Sequence, residues 1–169
     1  MKFLLASLLV VTLAFGALVI PEKEAQGAPP PGSVTVPVTG TGSDGGTFTG
    51  IFEITRFASQ GGQLFAVGDL TGTYTNAQGV ATPVAVENVQ MPAQATGTCD
   101  ILDLTLGPLD LDLLGLVVHL DQVHLEITAE QGPGNLLGNL LCAIAGLLDS
   151  QTSPNALAQL LNRVLSIIG

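Results

Sequence analysis

Apolar and polar residues alternate in twos along most of the chain, then switch to a helical period near its C-terminus. From Thr47 to Ala58, Phe48, Phe52 and Ile54 share one face, while Thr47, Thr49, Glu53 and Thr55 fall mostly on the other. That period, with β-branched and aromatic residues, marks a half-buried strand. Ser59-Gln60-Gly61-Gly62 reads as a turn, and Gln63–Thr75 returns as the partner strand with Leu64, Ala66, Gly68, Leu70 and Tyr74 on one face. Upstream, Val34, Val36 and Val38 alternate with Thr35 and Thr39, and Pro37 confines that short strand to a sheet edge because it lacks an N–H. Ser43–Gly46 is a turn, and residues 80–91 form a weaker strand interrupted by Pro83.

The stretch 98–129 is the most regular. Leu102, Leu104 and Leu106 alternate with Asp103 and Thr105; after Gly107-Pro108, Leu109, Leu111 and Leu113 alternate with Asp110 and Asp112. The phase slips at Leu114-Gly115, where Leu116, Val118 and Leu120 take over. It slips again at Asp121-Gln122, where Val123, Leu125 and Ile127 continue. A one-residue slip sends side chains to the opposite face unless a bulge or turn absorbs it, so bulges or tight connections are expected near Gly115 and Gln122.

Residues 135–148 carry apolar side chains all round and predict a buried helix. Gly134, Gly138, Cys142 and Gly146 recur every four residues, a stripe of small residues that predicts close approach to the strand carrying Cys99. A GxxxG membrane-dimer reading fails on length, because the apolar run is too short to span a bilayer. Ser153-Pro154 is a helix start, with Ser as N-cap and Pro at the first helical position. Leu157, Leu160, Leu161, Val164 and Ile168 then line one face of an amphipathic helix over 154–168, with Gln159, Asn162, Arg163 and Ser166 on the other. The predicted fold is mainly β with C-terminal helices (α+β). It is a single antiparallel, strongly bent sheet, a barrel or sandwich of about six to seven strands closed by two C-terminal helices.

Residues 1–27 read as a secretory signal peptide: Lys2, then Phe3–Ile20 almost wholly apolar, then Ala25-Gln26-Gly27 as the cleavage site. Residues 28–46 form a Pro/Gly-rich tether with an edge strand, and 47–169 a single β-rich domain. Export places the protein in the periplasm, cell wall or medium, with no stable membrane span after cleavage. Beyond residue 27 the only basic side chains are Arg56 and Arg163, in a chain of net charge −10. Phosphate backbones are held by Lys and Arg, so nucleic acid is excluded as a partner. Cys99 and Cys142 are the only cysteines, and in an oxidising compartment the pair is expected to form a disulfide. Closing a loop of about 43 residues stabilises the fold by roughly 4 kcal/mol in the chain-entropy treatment.

Motif chemistry is sparse. There is no GxSxG elbow, P-loop, GxGxxG turn or HExxH, so no catalytic residue, cofactor or enzymatic activity is assigned. One cluster offers metal-ligating side chains: His119 and Asp121 on one strand face, then His124 and Glu126 after the slip. Folded together by a turn, two imidazoles and two carboxylates would suit zinc or a similar ion. Alternation with Val, Leu and Ile explains the same positions as the solvated face of a half-buried sheet. Asp100, Asp103, Asp110 and Asp112 lack the residue order of an EF-hand and read as outer strand positions too.

Three strings, CDIL at 99–102, LGPLDLDLLGL at 106–116 and GNLLGNLLC at 134–142, together with the run 46–72, resemble an uncharacterised family of exported bacterial proteins. The resemblance implies export and carries over no activity, ligand or catalytic residue. Some similar sequences bear the label of a transporter-associated solute-binding protein, although two lobes closing on a solute need more than the single domain that about 140 residues make. Three functional expectations stand. The first is a non-catalytic exported domain that binds an apolar small molecule or an envelope protein. The alternatives are a solute-binding transporter component and a small metal-dependent hydrolase using His119 and His124.

Overall fold

The computed structural model describes residues 32–150 and 153–169; residues 1–27, read above as a signal peptide, and the start of the expected tether lie outside them. The alternating runs form eight strands: β1 (Val34–Gly42), β2 (Thr47–Gln60), β3 (Gln63–Thr75), β4 (Ala81–Gly97), β5 (Ile101–Leu106), β6 (Leu109–Leu113), β7 (Leu116–Leu120) and β8 (Val123–Thr128). Two helices follow, α1 (Leu136–Asp149) and α2 (Pro154–Ile168). All strands pair antiparallel in one sheet of order β6-β7-β1-β2-β3-β4-β5-β8. The expected six or seven strands are therefore eight, and the sheet does not close into a barrel, since β6 and β8 remain its edges.

One hairpin accounts for both differences. β5 pairs with β8 and β6 with β7 in a single unbroken register, from Ile101↔Thr128 through Leu106↔Val123 and Leu109↔Leu120 to Leu113↔Leu116. The phase changes at Gly107-Pro108 and Asp121-Gln122 split its two arms into four strands. Beyond that break the arms part company: β5 joins β4, whereas β7 joins β1. The two flanks of the sheet are thus halves of the same hairpin, and the sheet bends round until they lie side by side. Bulges help it bend. Thr55 is an extra residue in β2 between Ile54↔Gly68 and Arg56↔Val67. In β4, Glu87 and Asn88 together oppose Asp69, with Asn88 at φ 54° and its N–H held by Asp69 Oδ1 at 2.9 Å.

The short strand expected within residues 28–46 is β1, Val34–Gly42, paired with β2 along its length and with β7 at Gly40–Gly42. Pro37 falls where β1 has β2 alone as a neighbour, so the strand is an edge only locally. Pro83 likewise falls where β4 has only β3 beside it, because β5 pairs with Ala93–Gly97. A missing N–H costs no ladder bond there, and β4 runs on without interruption.

One face of the sheet is the core. Phe48, Phe52, Ile54, Leu70, Met91, Leu102, Leu104, Leu106 and Leu120 are fully buried on it. α2 covers β2 and β3, and α1 covers β4 and β5 while packing on α2. α2 begins as expected, with Ser153 Oγ accepting from Asn155 N–H at 3.3 Å. α1 is not buried all round: Gly138, Leu141, Ile144 and Ala145 face in, while Leu136 is exposed. Its small-residue stripe comes close to Cys99 at Cys142, Cα–Cα 3.8 Å, but its glycines do not make that approach. A Cβ at Gly138 would overlap the carbonyl of Glu130, Gly146 has open space, and Gly134 precedes the helix. Cys99 lies in the β4–β5 connection and forms the disulfide with Cys142 of α1, S–S 2.00 Å.

Candidate functional site

The metal-ligating candidates all sit exposed along the long hairpin, and three of the four have a local side-chain partner. His119 Nδ1 is 2.7 Å from Asp110 Oδ1 across the β6–β7 pair. Asp121 Oδ2 accepts from Thr39 Oγ1 at 2.8 Å. His124 Nδ1 is 3.3 Å from Thr105 Oγ1 across the β5–β8 pair, and Glu126 stands opposite Asp103. Among the described residues, no three His, Cys, Asp or Glu side chains are grouped to hold a metal ion.

The two flanks of the sheet leave a gap where they meet. β4 from Ala81 to Val86 has no partner strand on its outer side, and β6 has none on the side away from β7. Between them runs an open groove of about 490 Å³, bordered by Thr82, Val84 and Val86 on one wall and Leu113, Leu114 and Leu116 on the other, with Tyr74 at its floor. The strand period puts Val84, Val86, Leu113 and Leu116 on the core side, where each stays half-buried. Leu102, Leu104 and Leu106 of β5 and Leu120 of β7 are buried in the core instead, and the groove is an open cleft. A second cleft of about 430 Å³, beside Pro154 and Leu157 of α2, is bordered by Gln63, Gln94 and Thr96 and is more polar.

Two local features shape the groove. The Tyr74 hydroxyl donates to Asp44 Oδ1 in the β1–β2 turn, and that oxygen also accepts from Gly46 N–H at 3.0 Å. A Cβ at Gly42 or Gly46 would overlap the phenol ring, so this turn needs glycine for the ring to pack against its backbone. Tyr74's hydrogen bond, then that of Gly46, holds the Asp44 carboxyl below its ordinary value. Burial, then the bond to Asp44, pushes the Tyr74 phenol above its own.

The second feature is Leu114. It occupies the first central position of the two-residue β6–β7 turn at φ 56°, followed by Gly115 at φ 95°, and its side chain is fully exposed at 106 %. The sharp β2–β3 turn, by contrast, uses Gly61-Gly62. Positive φ disfavours side chains, leaving glycine, asparagine and aspartate as the usual residues of such turns. A leucine there adds strain of about 1–2 kcal/mol and displays an apolar side chain at the groove's lip. The sequence marks this position as a phase slip within the Leu-rich run. The groove itself leaves no sequence signal, because it depends on which strands fail to pair. No known protein family, curated protein or solved structure matches the chain.

Proposed function

We propose that this is an exported, non-catalytic binding domain that takes an apolar chain into the groove between β4 and β6. The observation that carries the reading is the unpaired seam itself, about 490 Å³ of cleft walled by Val84, Val86, Leu113 and Leu116 over Tyr74. Its volume lies in the roughly 300–1,000 Å³ range of small-molecule sites, which are largely apolar with few polar groups. Leu114, strained and solvent-exposed at the lip, supports the same reading, since strain retained against the preference of the turn points to a use for the side chain. The Cys99–Cys142 disulfide supports export, because such bridges persist in oxidising compartments.

The test is saturable binding of N-phenyl-1-naphthylamine, a neutral apolar dye, followed by its fluorescence. Thr82→Trp fills the mouth of the groove from an exposed position and should abolish saturable binding without unfolding the protein. Leu114→Asn should separate stability from binding: the fold gains about 1 kcal/mol as left-handed strain is relieved, while the dye binds more weakly. Unchanged dye affinity in both variants would remove the groove from consideration.

A further inference from the structure

Resting on that reading, we infer that the groove's occupant is a single-chain amphiphile with a cationic head group, and that Asp112 receives the head. The cleft walls offer an alkyl chain apolar contact, and the one charged side chain that lines it is acidic. Asp112 borders the groove on β6. Its Oδ1 accepts from Gly115 N–H at 2.7 Å, closing the hairpin turn, and Oδ2 has no partner among the described residues. Asp44 stands behind the floor, bonded to Tyr74.

No basic side chain lines the cleft. Among the described residues the only fixed positive charges are Arg56, beyond the β2 bulge, and Arg163 on α2. The chain's net charge is −10. A field of that sign raises the local concentration of cations and repels anions, so a fatty-acid carboxylate would enter with no counter-charge to meet it. An extended peptide adding to the free edges fits less well, because Pro83 offers no N–H and acidic side chains on β6 alternate with its leucines.

Three probes of one chain length, used below their micelle concentrations, distinguish these possibilities: decyltrimethylammonium, decyl maltoside and decanoate. Calorimetry and the fluorescence of Tyr74 report binding, since the chain has one tyrosine and no tryptophan. The expected order is cation, then neutral, then anion. The cation should exceed the anion by about tenfold at low salt, with the gap narrowing as salt screens the field. Asp112→Asn keeps an oxygen for the Gly115 contact and should reduce the cation's advantage by about threefold, leaving decyl maltoside unaffected. Decanoate binding as tightly as the cation, or an unchanged preference in Asp112→Asn, would overturn the head-group inference and leave the groove reading in place. No saturable binding by any of the three, with dye binding also lacking, would overturn both.

Discussion

Tyr74 joins packing to electrostatics. Its ring packs against the backbone of the β1–β2 turn, its hydroxyl anchors Asp44, and its edge floors the groove. The two perturbed groups fix opposite limbs of a pH profile. Asp44 has a folded-state value below its ordinary 3.8, so its contribution to stability is present above that pH and is lost as pH falls through the lower folded value. Tyr74 has a folded-state value above its ordinary 10.0; its contribution is present below pH 10 and is lost as pH rises through the higher folded value. Because no other tyrosine is present, ultraviolet titration of phenolate reports this residue alone. A midpoint above 10.0 is expected in the folded protein, falling to 10.0 in denaturant. Tyr74→Phe should flatten both limbs of stability against pH, measured by urea unfolding; a folded-state midpoint at or below 10.0 would contradict the arrangement.

At the scale of the elements, what the sequence reveals depends on whether a signal is local. The strand faces of β2 and β3 and both helix spans follow from alternation and from the Ser153-Pro154 cap, and the structure bears them out. The extra residues at Thr55 and at Glu87-Asn88 do not, because a bulge is defined by the partner strand's register, and the partner's residues lie elsewhere in the chain. Asn162 shows the same limit. By helical spacing it belongs to the polar face of α2, yet it is half-buried and docks the helix: Phe57 N–H donates to its Oδ1 at 2.6 Å, and its Nδ2 donates to Phe57 O at 2.9 Å. β1 begins its pairing at Ile54, so the edge of β2 beyond the bulge lacks a neighbouring strand, and one amide side chain supplies both missing bonds. Asn162→Ala leaves a backbone donor and acceptor unmatched and should cost about 2–3 kcal/mol. Gln159→Ala, on the exposed face of α2, should change stability by less than about 0.5 kcal/mol. Urea midpoints at constant slope make the comparison.

Across the whole molecule, the bent sheet is reinforced unequally. The end of β4 near Gly97 adjoins the covalent tie and carries α1, whereas the end near Thr82 borders the unpaired seam and the exposed Leu114. More than ten residues of β4 separate Val84 from Cys99, about 40 Å of strand at the usual rise. If the groove binds as proposed, the covalent tie and the binding site lie at different ends, and loss of the tie should leave the groove intact. The Cys99–Cys142 bridge closes a loop 43 residues long, worth roughly 4 kcal/mol through the unfolded chain. Replacing both cysteines by serine should lower the free energy of unfolding by about that amount. In the fraction that remains folded, dye affinity at the groove should stay within about twofold of the parent, since its walls on β4, β6 and β7 touch neither sulfur. Parallel chemical denaturation and dye titration measure the two quantities on one sample. Affinity that collapsed while the sheet stayed folded would mean that the helical end holds the seam open, and that the two ends act as one.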